Sequence, residues 1–142
     1  MRVLVVNGPN LNLLGTRRPD IYGEATLGDL EDRCRRWGAE LGIAIETFQS
    51  NHEGDLIDRL HDAIGVFDGV IINPGALGHT SYALHDAIEA TGLPVVEVHI
   101  SDIEAREPWR AESVIRAACV GAIWGKGLEG YREGLVVLKE RA

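Results

Sequence analysis

Long apolar runs are absent from this sequence, and cysteine and lysine are scarce. No stretch approaches the roughly 18 consecutive apolar residues that a membrane-spanning helix needs. The first apolar segment begins at Arg2, which leaves no room for a signal peptide ahead of it. We therefore expect a cytoplasmic protein.

The few cysteines and lysines argue against several chemistries. Cys34 and Cys119 are far apart and form no CxxC motif, which favours buried apolar thiols over redox or zinc chemistry. Lys126 lies in a predicted loop and Lys139 lies near the end of the last predicted helix, so neither suits a Schiff-base mechanism. Catalysis must therefore use other acids and bases.

The overall charge and composition indicate a globular protein that binds small molecules. A formal net charge of -8 at pH 7 disfavours nucleic acids and anionic membranes as general partners, although arginines can still cluster inside a cleft. Of the 142 residues, 45% are hydrophobic and 25% are charged. This ordinary mixture predicts a single domain that spans residues 1–142.

Short apolar runs rich in β-branched residues alternate with segments of helical periodicity. Runs of this kind are typical of parallel strands that are buried on both faces. Strict alternation with short connections predicts a doubly wound α/β fold, with a flavodoxin-like five-stranded parallel sheet in the order 2-1-3-4-5. The strands are predicted at residues 2–6, 44–49, 69–72, 94–98 and 118–124.

Five helices are predicted around these strands. The first covers residues 27–41, with Thr26 as its N-cap and Gly42 at its end. The second opens with Ser50 and Glu53 in capping-box spacing. Its apolar side chains are expected to face inward: Leu56, Ile57, Leu60 and Ile64. The others are expected at about residues 80–91, 107–115 and 128–138.

The connection after the first strand is unusually long. Roughly 20 residues precede the next helix, whereas such connections typically have about 2 to 6. Glycines at positions 15 and 23 bound a segment that carries Arg17 and Tyr22. Glycine hinges favour a lid that closes over a bound ligand. A disordered surface loop is the alternative interpretation.

Polar side chains also follow the third strand. Asn73 ends that strand, and the glycine-rich turn behind it leads through His79 to a helix N-terminus. Free backbone N–H groups at such a terminus favour an anion. Taken alone, His79 fits a helix cap or packed residue as well as a ligand-binding one, and its position beside Asn73 favours binding.

The end of the fourth strand carries Glu97, His99 and Ser101, which alternate onto one face. Glu97 can buttress His99, and three polar groups at a strand end favour function over a buried structural histidine. Arg106 and Arg110 follow, four residues apart. In isolation they would form a solvated basic patch, but together with Arg17 across the crevice they indicate a carboxylate-bearing substrate.

Other functional classes fit less well. Residues 125–130 match the G-x-G-x-x-G nucleotide fingerprint, but the short remainder of the chain has neither a return strand nor a ribose-binding acid. A receiver-type signalling domain needs acids where Asn7 and Asn73 stand. The polar residues between 52 and 62 fit the solvent face of a helix, so no metal is needed. A flavin-type binding module on the same fold, which needs a hydroxyl-rich loop after the first strand, is the non-catalytic alternative.

Five ordered motifs resemble those of the type II 3-dehydroquinate dehydratases, and the likeness spans nearly the whole chain. They are N-G-P-N-L-N-L-L-G at 7–15, Arg17 to Tyr22-Gly23, Q-S-N-H-E-G at 49–54, N-P-G-A at 73–76 with H-T-S at 79–81, and E-V-H-I-S at 97–101, followed by Gly125 to Tyr131. The resemblance implies reversible anti dehydration of 3-dehydroquinate to 3-dehydroshikimate through an enolate, in the shikimate or quinate pathway. It also implies that no cofactor takes part and that the protein is a homododecamer of four trimers.

The resemblance further implies catalytic roles for single residues. Tyr22, as its phenolate, would abstract the proton next to the ketone, and Arg17 would stabilise that phenolate under a closed lid. His99, oriented by Glu97, would protonate the departing hydroxyl. Asn10 would hold a water molecule that hydrogen-bonds the enolate oxygen.

Substrate binding is implied for a further set of residues. Asn73 and the backbone N–H groups of Ile100 and Ser101 would bind the substrate carboxylate. The remaining roles are ring hydroxyl binding by His79 and Arg110, support of the lid or site by Arg106, and a contact from Asp86 to a neighbouring subunit's site.

Four positions depart from the pattern that this family usually shows. Arg18 replaces glutamate, and Gly78, Asp102 and Trp109 replace a hydroxyl residue, asparagine and phenylalanine. None of these changes removes a proposed catalytic group. Arg18 does place two arginines side by side, and they repel each other unless Asp20 or another carboxylate compensates. The competing enzyme class is another lyase or isomerase of a hydroxy-carboxylate.

Overall fold

A computed structural model describes residues 1–142 and contains one parallel sheet between two layers of helices. The strand order is β2-β1-β3-β4-β5, which confirms the predicted topology. The strands are β1 Arg2–Asn7, β2 Ala44–Gln49, β3 Gly69–Asn73, β4 Val95–His99 and β5 Gly121–Trp124. The helices are the single turn α1 Pro19–Tyr22, then α2 Leu27–Leu41, α3 Glu53–Ala63, α4 Tyr82–Thr91 and α5 Glu129–Arg141.

Alternate side chains of the strands enter two separate apolar cores. Val3 and Val5 of β1 pack in one cluster with α2 and α5, whereas Leu4 and Val6 pack in the other with α3 and α4. This follows from the period of two along a strand, since both faces of the sheet are covered. None of the helices combines the length and the apolarity needed to cross a bilayer.

Helix α2 begins and ends where the sequence predicts. The Thr26 hydroxyl accepts a hydrogen bond from the Asp29 backbone N–H, and the Asp29 carboxylate accepts one from the Thr26 N–H. These two bonds form a capping box that satisfies donors left free at the helix start. Gly42 ends the helix at a φ of 72°, a left-handed conformation that glycine adopts without strain.

The predicted capping box of the next helix is wrong. α3 begins at Glu53 with His52 before it, and the Ser50 hydroxyl instead donates to the Asp55 carboxylate at 2.9 Å. The Glu53 carboxylate accepts a hydrogen bond from the hydroxyl of Ser81, on the far side of the α3–α4 contact, at 2.6 Å. Tertiary partners therefore take both side chains. Ile64 lies beyond the end of α3 and is exposed, contrary to its predicted inward position.

The helix predicted near residues 107–115 does not form. The chain there makes separate 3-10 turns at Ile103–Ala105, Pro108–Arg110 and Arg116–Ala118. Its backbone groups are used by the loop after β3: the Val114 N–H donates to the Gly78 carbonyl, and the Glu112 carbonyl bonds the His79 ring. Since the last of these turns occupies residues 116–118, β5 starts at Gly121 rather than at the predicted Ala118.

A buried tyrosine ties α5 to the carboxyl ends of two central strands. The Tyr131 hydroxyl donates to the Asn7 side-chain oxygen at 2.6 Å and accepts from the Asn73 amide nitrogen at 2.9 Å. Burial raises the pKa of Tyr131 above its ordinary value, so the hydroxyl stays neutral and can donate. Loss of such a buried partner costs about 1–3 kcal/mol. The network therefore fixes the sheet edge on which the candidate site is built.

Candidate active site

A pocket of about 240 Å³ opens at the carboxyl ends of β1, β3 and β4. This is the edge of a doubly wound sheet at which ligands are expected. The structure brings ten residues singled out from the sequence to its wall: Asn10, Arg17, Tyr22, Asn73, His79, His99, Ile100, Ser101, Arg106 and Arg110.

Tyr22 reaches this pocket from the single helical turn α1. Pro19 starts the turn and Gly23 ends it at a φ of 79°. The Tyr22 hydroxyl accepts a hydrogen bond from Nη1 of Arg106 at 2.7 Å. The guanidinium of Arg17 instead lies over the phenol ring, 4.7 Å from its centroid. Two cations therefore face this phenol, and Arg106 is the one that contacts its oxygen.

Arg18, the neighbour of Arg17, is paired with a carboxylate of the same segment. Arg18 adopts a left-handed conformation with a φ of 43°. Its guanidinium forms an exposed ion pair with Asp20, at 3.2 Å between Nη2 and Oδ2. Asp20 is thus the carboxylate that compensates for the two adjacent arginines.

His99 is the last residue of β4 and is paired with a buried carboxylate. Its Nε2 lies 2.6 Å from Oε2 of Glu97, whose side chain is fully buried behind the imidazole. Burial opposes ionisation of Glu97, but the hydrogen bonds from His99 and Ser113 and the charge of Arg116 outweigh it and lower its pKa. Since an ionised carboxylate can only accept, Nε2 carries the hydrogen of this bond. Nδ1 makes no bond to Glu97.

Two of the groups that hold Glu97 are not evident from the sequence. Its Oε1 accepts from the Ser113 hydroxyl at 2.9 Å and from Nε of Arg116 at 3.3 Å. These residues lie 16 and 19 positions further along the chain, and no local pattern connects them with Glu97. The only available signal is that a buried carboxylate needs donors.

His79 and Arg110 form a further part of the pocket wall. The His79 ring lies 5.9 Å from the His99 ring and contacts the Trp109 indole edge-on at 5.4 Å between centroids. Burial lowers the pKa of His79, so the ring is neutral at neutral pH. The Arg110 guanidinium lies 4.1 Å from the Trp109 ring centroid and donates to Glu107 at 2.7 Å. One indole therefore orients both side chains.

The remaining pocket residues present mainly backbone or amide groups. The carbonyls of Ile100 and Ser101 accept from the N–H groups of Gly127 and Gly125, which fixes their peptide planes. Asn73 donates to Tyr131, and its oxygen accepts from the Gly75 N–H. Asn10 adopts a left-handed conformation with a φ of 72° three residues beyond β1, and its backbone N–H donates to Asn51.

Two predicted site residues do not line the pocket. Glu97 lies behind His99, in agreement with a supporting position. Asp86 lies on α4 with 81% of its side chain exposed, and it contacts His85 rather than any pocket residue. Within this chain, Asp86 is therefore separate from the site.

Comparisons with known proteins identify the family of this chain. The family model described as dehydroquinase class II matches residues 1–139. The chain is 51% identical to the 3-dehydroquinate dehydratase of Bacillus cytotoxicus and 49% identical to the catabolic 3-dehydroquinase 1 of Neosartorya fischeri, with 99% of this chain and 96% of each relative covered. The crystal structure of the type II dehydroquinase from Butyrivibrio crossotus superposes with a TM-score of 0.95 at 42% identity, covering 97% of both chains.

We expect Glu97 to make stability depend on pH. The pKa of Glu97 lies below its ordinary value of 4.5 in the folded state. Its ionised form therefore stabilises the fold above about pH 4.5, and this contribution disappears as pH falls through the lowered pKa. The urea midpoint of the unchanged protein should fall more steeply below that pH than the midpoint of Glu97→Gln, which has no charge to lose. The exposed-site control Glu140→Gln should follow the unchanged protein, and equal slopes for Glu97→Gln would contradict this assignment.

Proposed function

This chain belongs to the class II dehydroquinase family and catalyses the dehydration of 3-dehydroquinate, and we propose that Tyr22 and His99 are its base and acid. The observation that carries this proposal is that one pocket holds a phenol contacted by arginines and an imidazole backed by a carboxylate. Residues 1–142 form the proposed catalytic domain. The comparisons favour this activity over a flavin-type binding module.

Proton abstraction is the first proposed step. The Tyr22 phenolate takes the proton next to the substrate ketone, and the electron pair moves to the ketone oxygen as an enolate. Arg106 stabilises the phenolate by donating directly to its oxygen, and Arg17 adds positive charge above the ring. This extends the sequence-based proposal, in which Arg17 alone supplied the charge.

The enolate requires stabilisation while it exists. Asn10 lines the pocket just beyond β1, with its backbone anchored to the Asn51 side chain. We assign it the role of holding a water molecule against the enolate oxygen. A fixed donor of this kind stabilises charge that develops during the reaction without having to reorient.

Loss of the hydroxyl completes the proposed reaction. The enolate electrons reform the ketone and create the carbon–carbon double bond as the carbon–oxygen bond breaks. The leaving oxygen takes a proton from Nδ1 of His99 and departs as water. Glu97 holds the other ring nitrogen, which fixes the orientation of the imidazole and stabilises its cationic form before transfer.

The other pocket residues orient the substrate in this proposal. The N–H groups of Ile100 and Ser101, together with the Asn73 amide, bind the carboxylate. His79 and Arg110 bind ring hydroxyls, and their shared contact with Trp109 supports that role by holding them on one side of the pocket.

Dehydration can be followed by the ultraviolet absorbance of the conjugated enone product. The purified protein should generate this signal from 3-dehydroquinate without added metal or nucleotide. Tyr22→Phe removes the proposed base and should lower kcat by about 100-fold or more while the fold and ligand binding persist. The matched control Tyr82→Phe changes an exposed tyrosine on α4 and should keep full turnover. Turnover retained in Tyr22→Phe would place the base elsewhere, and no signal from the unchanged protein would overturn the activity.

We also propose that the protein is a cytoplasmic homododecamer of four trimers, in which Asp86 reaches a neighbouring subunit's site. The family resemblance supports this assembly, and the exposed position of Asp86 on α4 leaves it available to a second chain. The unpaired thiols of Cys34 and Cys119 agree with a reducing compartment. The mass of the assembly in solution should be that of twelve chains, and a monomer or dimer at assay concentration would contradict the proposal.

A further inference from the structure

Arg116 is a cation that reaches the buried carboxylate of Glu97 beside His99. Its Nε lies 3.3 Å from Oε1, while Nε2 of His99 lies 2.6 Å from Oε2. The two donors therefore approach opposite oxygens of one carboxylate whose side chain is fully buried. A single negative charge is shared between a fixed cation and the imidazole that is proposed to move a proton.

The packing of Arg116 directs its charge toward Glu97. The guanidinium lies 4.6 Å from the ring centroid of Trp124, and Trp124 pairs with His99 in the β4–β5 register. Its Nη2 is buried and has no hydrogen-bond partner in this chain. Arg116 forms no ion pair with any other carboxylate. Burial of a nitrogen without a hydrogen-bond partner costs free energy. Arg116 is kept in this place despite that cost, and its charge lies next to Glu97.

We propose that Arg116 is a positioning residue that shares Glu97 with His99 and thereby makes the His99 imidazolium a stronger acid toward the leaving hydroxyl. This inference rests on the proposed function, in which His99 is the acid. Arg116 has two effects, and both make the imidazolium a stronger acid. It takes part of the carboxylate's charge away from the imidazolium, and its own charge repels the imidazolium.

The other groups around His99 leave this role to Arg116. Burial lowers the pKa of His79, so the facing imidazole is neutral at neutral pH. Burial raises the pKa of Cys119, beside Glu97, to about 12, so this thiol adds no charge. Ser113 is a neutral donor to the same oxygen as Arg116. The other charged or ionisable groups that line the pocket are Arg17, Tyr22, Arg106 and Arg110, and none of them hydrogen-bonds Glu97 or His99.

Arg116→Gln tests the proposal because it removes the charge but keeps a polar side chain at a partly exposed position. The measurement is the NMR titration of the enzyme labelled at histidine Cε1, with the His99 signal identified by its loss in His99→Asn. The His99 titration midpoint should move to higher pH by about 0.5–1 unit. The limb of the kcat–pH profile that follows the ionisation of His99 should move in the same direction, while the other limb should not move.

Two further variants separate charge from structure. Arg116→Lys keeps the charge and should leave the midpoint close to that of the unchanged enzyme. Arg35→Gln removes an exposed arginine of α2 that pairs with Asp32, and it should change neither readout. Should Arg116→Gln not fold, Trp124→Leu keeps the guanidinium but removes its stacking partner, and it should give a smaller shift to higher pH.

The outcomes distinguish this inference from the proposed function. An unmoved His99 midpoint in folded Arg116→Gln, or in Trp124→Leu where that variant replaces it, would overturn the role of Arg116 even if the enzyme dehydrates 3-dehydroquinate normally. A moved midpoint in a protein without dehydratase activity would instead preserve the electrostatic coupling and overturn the proposed function.

Discussion

The hydrogen bond from Arg106 to the Tyr22 hydroxyl joins two parts of the chain that lie 84 positions apart in the sequence. Tyr22 sits on a single helical turn that contributes no buried residue of its own. This bond, the Arg17 contact and packing against the core shared by α2 and α5 hold the phenol in the pocket. Because both partners are cations, the contacts that position Tyr22 would also stabilise the phenolate in its proposed role as base.

The wall that carries His99 depends on Glu97, a carboxylate that the fold buries completely. An isolated charge inside a sheet is costly, and Glu97 is tolerated because three donors from β4 and the segment before β5 surround it. The rigid sheet edge beneath, held by Tyr131 between β1 and β3, keeps this wall fixed. The pocket thus combines a wall built on the sheet, which carries His99, with a connecting segment that carries Tyr22.

Local patterns in the sequence predict the sheet order, the ends of α2 and the loops that line the pocket, because parallel strands bring their carboxyl ends to one edge. Local patterns do not predict the contacts between residues that are far apart in the sequence. The helix predicted near residues 107–115 does not form because the loop after β3 hydrogen-bonds backbone groups of this segment. Ser50 does not cap α3 because its hydroxyl donates to Asp55. Arg116 has no local link to Glu97. The catalytic roles of Tyr22 and His99 stay predictions.

We propose that Tyr22 as base and His99 as acid act in separate steps. The most direct test of this proposal is ¹H NMR of 3-dehydroquinate in D₂O with His99→Asn. If Tyr22 alone removes the proton next to the ketone, that hydrogen should exchange with deuterium while dehydration is nearly abolished. Dehydration at the rate of the unchanged enzyme, or loss of exchange together with dehydration, would contradict this division between Tyr22 and His99.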